Sequence, residues 1–261
     1  NEYANAAPPG RSVEFALSAP DFELDVDAFA AEAIRTGCDF AVVVSPNNPT
    51  SLLVSRADLL RLAKLLGPSH CTLVVDESFI DFAANGASES VERDLGAHHN
   101  LAVMKSMSKA YGICGLRIGY LLTANPDLAR RMRDGLHIWN LNGFAESFLR
   151  LAPDYRQDFA ESCERVRTER DEFRDALAAI PGLTVYPPTA NFIFCRLPAE
   201  GPCGPQITRD LFIDDGIYIK HCKGKTMPEP ERYIRIASRT PAENTALAAA
   251  LARLLGAGAV L

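Results

Sequence analysis

Three short segments carry side chains whose types and spacing suit chemistry on an amine. In Lys105-Ser-Met-Ser-Lys-Ala-Tyr-Gly-Ile-Cys-Gly-Leu-Arg-Ile-Gly-Tyr120, Lys109 stands just past an apolar run among small hydroxyl and glycine neighbours. A lysine held there can lose its proton and attack an aldehyde, forming an imine. Ser106, Ser108 and Arg117 are the kinds of groups that bind a phosphate, the guanidinium by a two-pronged charge-assisted contact. Gly112, Gly115 and Gly119 let the backbone approach closely. An ordinary glycine-rich loop has the same composition, so this segment does not decide the matter alone.

In Val74-Val-Asp-Glu-Ser-Phe-Ile-Asp-Phe82, Asp76 follows a run of apolar residues. Its carboxylate there is costly to keep ionised without a cationic partner. A protonated pyridine nitrogen is such a partner, and a carboxylate against it keeps the ring able to accept electrons from a carbanion. A helix N-cap is the alternative role for an Asp after a strand. In Ser45-Pro-Asn-Asn-Pro-Thr-Ser51, two prolines flank a pair of amides and hold Asn48 in a turn. A plain strand-to-helix turn reads the same way. Each segment is ambiguous by itself; their joint occurrence in this order is not.

The elements that must position these residues are legible from apolar spacing. Residues 25–37 and 55–67 have helical periodicity, the second ended by Gly67 and Pro68. Strands are expected at Phe40-Ala-Val-Val-Val44, 71–76 and 101–105, separated by helices. Continuous Val-rich strands alternating with helices predict a mainly parallel sheet covered on both faces, with ligands beyond the strands' carboxyl ends. Residues 124–136 and 141–180 read as mostly helical. Beyond them come strands 183–186, 191–197, 217–220 and 232–237 with helices 205–215 and 241–255. The expected division is a large domain over 1–155, incomplete at its N-terminus, and a small α+β domain over 156–261.

The three segments are similar to those of fold-type-I, aspartate-aminotransferase-like enzymes dependent on pyridoxal 5'-phosphate (PLP). The nearer branch is that of histidinol-phosphate aminotransferase and threonine-phosphate decarboxylase, and the resemblance covers essentially the whole chain. It implies that Lys109 is the Schiff-base lysine, that Asp76 faces the pyridine nitrogen and that Asn48 contacts the ring hydroxyl. Ser106, Ser108 and Arg117 would hold the phosphate. Arg235, in Tyr233-Ile-Arg-Ile-Ala-Ser-Arg239, matches the arginine that clamps the substrate carboxylate, and Asn191 matches another recurrent position. Arg239 is a second anion-binding candidate, or else a cap paired on the surface.

Departures from the family pattern are equally definite. Phe79 stands where many relatives have a tyrosine on the ring oxygen, and Ser51 replaces the usual glycine of the turn. The family's N-terminal portion is missing, and Asn1-Glu-Tyr-Ala-Asn-Ala-Ala reads as the middle of a helix, as in a fragment or one domain of a fusion. Ile219-Lys-His-Cys-Lys-Gly-Lys225 also resembles the aminotransferase-like half of fused nucleotidyltransferases.

The expected activity is transamination of a small, phosphorylated or phosphono amino acid. The alternatives are decarboxylation of such a substrate, supported by the wording of 76–82, Met132–Trp139 and Leu183–Pro187, and a PLP-sensing regulatory domain. A degenerate scaffold is disfavoured by the intact Asn48, Asp76, Lys109 and Arg117. A net charge of −6, with no long basic run, argues against a nucleic-acid surface. The five histidines lack metal-ligand spacing and the seven cysteines lack any CxxC, so free thiols in a reducing compartment are expected. No signal peptide or membrane-length apolar run is present, so no membrane partner and a cytoplasmic location are expected. By resemblance, the protein is expected to be a homodimer.

Overall fold

A computed structural model of the chain describes residues 2–256. The N-terminal segment read as mid-helix is helical over Glu2–Ala6, and Asn1 lies outside the described residues. The chain contacts divide into two compact units. The strand-end unit holds Leu24–Asn47 and Leu53–Cys163; the C-terminal unit holds residues 2–23, Asn48–Leu52 and 164–256. The division falls between Cys163 and Glu164, inside the continuous helix Arg156–Ala178, where the sequence reading set 155/156. Residues 2–23 and the Asn48–Leu52 turn join the C-terminal unit, which local periodicity does not signal.

In the strand-end unit, β1 (Phe40–Val44), β2 (Thr72–Asp76), β3 (Leu101–Ser106) and β4 (Gly119–Thr123) form one sheet in that order. The first three run parallel, and β4 lies antiparallel to β3. Successive side chains alternate between the faces. Val43, Leu73, Val75, Leu101 and Val103 meet Leu59 and Leu62 of helix Arg56–Leu66 and Ala30 and Ala33 of helix Val26–Thr36. Val74 and Ala102 turn the other way, onto Leu128 of helix Pro126–Gly135. Both faces are therefore covered, as the unbroken apolar runs require. Asp25 and Ser55 cap the first two helices by accepting from the amides of Ala28 and Asp58.

The strand β4 was not anticipated. It is short, begins in the glycine-rich segment and pairs Ser106 with Gly119. A Cβ at Gly119 would stand 2.7 Å from the Lys105 carbonyl oxygen, so only glycine allows this pairing.

In the C-terminal unit, β5 (Thr184–Val185), β6 (Phe192–Arg196), β7 (Lys220–His221) and β8 (Tyr233–Ala237) form an antiparallel sheet of order β5-β6-β8-β7. One face, with Ile193, Cys195, Ile234 and Ile236, packs on Ile207 and Leu211 of helix Gly204–Asp215 and Leu247 and Leu251 of helix Pro241–Leu254. The other carries Phe194 and Tyr233, which enclose Phe22 in edge-on contacts with ring centroids 5.5 and 5.4 Å away. Strand β7 begins later than the expected 217–220. Gly216 ends the preceding helix in the left-handed conformation, and the Ile217 amide is engaged by the Leu211 carbonyl, so sheet pairing starts only at Lys220.

All seven cysteines are free thiols. Burial pushes the Cys71 and Cys222 thiols up to about 11, which keeps them protonated and unreactive at neutral pH. Among the described residues no helix is long and apolar enough to cross a membrane.

Candidate active site

The parallel strands β1 and β2 end level with one another, because Val44 pairs with Asp76, while β3 runs two residues beyond the Asp76–Met104 pair to Ser106. Asp76 is the last residue of β2, and its Oδ1 accepts the Ser78 amide at 2.9 Å. The Ser78 hydroxyl then accepts the amide of Ser106, the last residue of β3, also at 2.9 Å. Ser78 is 5% exposed, and this partly buried bond ties the ends of two neighbouring strands together. Sequence reasoning passed over it, since a serine two residues past a strand carries no distinctive signal.

Beyond Ser106 the chain makes a short helix, Met107–Ala110, that carries Lys109 exposed and Ser108 buried. It then loops through Cys114–Leu116 and returns as β4. The Met107 amide donates to the Ile118 carbonyl, and Ser106 pairs with Gly119. The loop is thus closed at its neck, and both Lys109 and Arg117 are presented from it at the carboxyl end of β3. Arg117 adopts the left-handed conformation (φ 55°) and is exposed, with one guanidinium N–H donated to the Cys114 carbonyl. Tyr111 anchors the loop by stacking on Phe159, ring centroids 4.1 Å apart.

The two lysines of this segment have different surroundings. Lys105 is mostly buried and ion-paired with Asp81 at 2.9 Å. Lys109 stands exposed, which leaves it the better placed of the two to react. Phe79 is buried and contributes no hydroxyl. Glu77, 1% exposed, accepts from the Ser90 hydroxyl and the Val91 amide, and burial pushes its carboxyl above the usual range.

The remaining expected residues lie in the C-terminal unit. Arg235, in the middle of β8, donates to the Asn48 carboxamide oxygen at 2.9 Å, and its guanidinium lies 5.1 Å over the Phe192 ring. Burial holds its pKa below the usual value. Its buried Nε has no hydrogen-bond partner among the described residues. A guanidinium so held suits a carboxylate, which its terminal N–H groups can bind. Asn191 opens the segment into β6, and its carbonyl accepts from the Ser238 amide. Arg239 is exposed and bonded to Glu243 at 2.7 Å, the geometry of the surface-capping alternative.

Within the strand-end unit alone, one carboxylate, one exposed amine, two hydroxyls and a guanidinium lie on the segments that end β2 and follow β3. That donor set fits PLP, which has a basic ring nitrogen, an aldehyde and a phosphate. Asp76 suits the nitrogen, Lys109 the aldehyde, and Ser106, Ser108 and Arg117 the phosphate.

Comparison with known proteins agrees with this chemistry. The family described as "Aminotransferase class I and II" matches residues 7–251. The chain is 47% identical over 256 residues to a CMP-5'-(3-aminopropyl)phosphonate synthase of Streptomyces rubellomurinus, covering 98% of this chain and 40% of that protein. It is 33% identical to an L-serine phosphate decarboxylase of Sulfurospirillum multivorans, covering 90% of this chain and 60% of that one. The chain therefore spans well under two thirds of these relatives. The structure of histidinol-phosphate aminotransferase from Sinorhizobium meliloti, in complex with pyridoxal-5'-phosphate, superimposes with a TM-score of 0.76 at 25% identity, covering 90% of this chain and 62% of that one. The chain belongs to the class I and II aminotransferases, a PLP-dependent family of which it spans only part.

Proposed function

We propose that this chain forms the cofactor- and substrate-binding part of an enzyme that transaminates a small phosphorylated or phosphono amino acid. The observation that carries the reading is the juncture of Asp76 and Ser106 through Ser78, with Lys109 on the loop that leaves it. When bound there, PLP supplies an electron sink for negative charge developing at the substrate's α-carbon. Asp76 holds the proton on the ring nitrogen, and Lys109 Nζ accepts the proton leaving the α-carbon. Ser106, Ser108 and Arg117 orient the phosphate, with Asn48 at the ring hydroxyl. Arg235 receives the substrate carboxylate; Asn191 joins it on the substrate side, whereas Arg239 is held by Glu243 at the surface.

Loss of carbon dioxide is a second reading with its own support. One relative at 33% identity is named an L-serine phosphate decarboxylase. Another, at 47%, is named for a 3-aminopropylphosphonate, a primary amine with no carboxylate beside it. Decarboxylation of an amino acid leaves that arrangement. The same residues serve both routes, because the bond that breaks is the one held perpendicular to the cofactor ring.

The test uses the full gene product with PLP and a panel of O-phospho and phosphono amino acids, followed by mass spectrometry with and without a keto-acid acceptor. Acceptor-dependent replacement of the amine by a carbonyl establishes transamination. Loss of carbon dioxide with the amine retained, and no acceptor required, establishes the decarboxylase. PLP binding with no turnover of any amino acid would favour a sensing domain and overturn both. A cytoplasmic homodimer is the proposed form.

A further inference from the structure

Ser51 occupies a conformation that suits glycine. Its φ is 64°, in the left-handed region where a side chain is strained, and it is fully buried. The hydroxyl gives a reason for a serine there. Ser51 Oγ accepts the amides of Thr189 at 3.1 Å and Ala190 at 2.8 Å. Its carbonyl also accepts from the Thr189 amide and hydroxyl. Glycine would make the turn more easily but would leave the buried Ala190 N–H without this acceptor and the Thr189 N–H with the Ser51 carbonyl alone.

These bonds lie on a closed circuit within the C-terminal unit. Three residues before Ser51 is Asn48, which accepts from Arg235. Two residues after Ala190 is Phe192, beneath the Arg235 guanidinium. The Ala190 carbonyl accepts from buried Arg170, so the segment is held from both sides. Arg235 thus has two supports, one on the Asn48 turn and one on the Thr189–Phe192 segment. Ser51 Oγ joins the two.

We propose that Ser51 is a positioning residue: by pinning Thr189 and Ala190 to the Asn48 turn, it fixes the direction of Arg235 toward a substrate carboxylate. The proposal rests on the reading of Arg235 as the carboxylate-binding residue. It assigns the serine-for-glycine departure a function in ligand affinity.

The test compares Ser51→Gly, Ser51→Ala and Arg235→Lys in the full holoenzyme. Amide exchange at Thr189 and Ala190 is measured together with affinity for amino acids and for the corresponding carboxyl-free amines. In Ser51→Gly, backbone strain is relieved, yet exchange at the Ala190 amide rises on the order of tenfold or more, and at Thr189, still bonded to the residue 51 carbonyl, by less. Carboxylate affinity falls about tenfold, the loss expected for roughly one hydrogen bond, while amine affinity holds. The kinetic effect lies in KM rather than kcat. Ser51→Ala shows the same two changes with a lower Tm, because the strain stays while the acceptor goes. Arg235→Lys weakens carboxylate binding without speeding exchange. Wild-type exchange at the Ala190 amide, or wild-type carboxylate affinity in Ser51→Gly beside an impaired Arg235→Lys, would sink the proposal. If Arg235→Lys also binds carboxylates normally, the reading of Arg235 fails, and the exchange measurement still decides whether Ser51 pins the segment.

Discussion

The two clusters of candidate functional residues are built on opposite plans. In the strand-end unit, Ser106, Lys109 and Arg117 come from one stretch, Lys105–Tyr120, and Asp76 reaches them through a single intervening serine. The loop is closed on itself by the Met107–Ile118 bond and the Ser106–Gly119 pair. In the C-terminal unit, the Asn48–Arg235 bond spans 187 positions and the bonds to Ser51 span 138 and 139. The first cluster needs a local turn and two strand ends. The second exists only once a distant turn has docked on the sheet. The proposed chemistry rests on the cluster with the shorter chain path, and the proposed substrate affinity on the one that depends on tertiary assembly.

Removing the reactive amine gives the largest expected effect on that contrast. Lys109→Ala should lower turnover on the order of 10³-fold or more, since it deletes both the amine and the base. It should also abolish borohydride-trapped PLP on the peptide containing residue 109, checked by mass spectrometry. Trapped PLP persisting in Lys109→Ala would show that the wrong lysine had been chosen, with Lys105 the next to examine.

Arg235→Gln should act mainly through KM. A charge-assisted hydrogen bond to a carboxylate is worth about 1.5–3 kcal/mol, so KM should rise about 10- to 150-fold with a smaller change in kcat. An equal loss in kcat would place Arg235 with the chemical cluster and erase the distinction between the two.

Ser78→Ala tests the strand-end cluster without touching a charged group. It leaves the partly buried Ser106 amide without its acceptor, at a cost of about 1 kcal/mol. The loss should appear as weaker PLP binding by fluorescence titration, partly restored in Ser78→Thr. A variant that binds PLP with wild-type affinity would mean that Ser106 is positioned by the strand pairing alone.

The smallest effect concerns Glu77, just past Asp76. Burial raises its folded pKa above the ordinary 4.5 despite the bonds from Ser90 and Val91. The folded protein therefore holds that proton more tightly than the unfolded chain, and stability falls as pH rises from about 4.5 through the folded value. Denaturant unfolding of Glu77→Gln across that window should have a flatter pH profile. A slope as steep as the wild type's would assign the dependence to another group.

Much of the architecture was legible because it is written at short range. Val-rich runs separated by amphipathic helices specify a parallel sheet covered on both faces, and residues at the ends of such strands collect where ligands bind. Asp76 and Lys109 stood out for that reason. The edge strand Gly119–Thr123 did not, because its only marks are its brevity and a glycine whose need becomes visible against the Lys105 carbonyl. Strand β7 was displaced by a helix cap that takes up the backbone amide of Ile217.

By itself, the sequence determined the class of fold, the lysine loop and an aspartate at the end of a strand, because each is marked by local pattern and spacing. Tertiary structure alone decided that the Asn48–Leu52 turn belongs with the C-terminal unit and that Arg239 is engaged by Glu243. It also decided that Ser51 and Ser78 are acceptors for buried amides. A hydroxyl's role depends on which N–H lies within about 3 Å of it, and folding, not adjacency in the chain, brings that partner there.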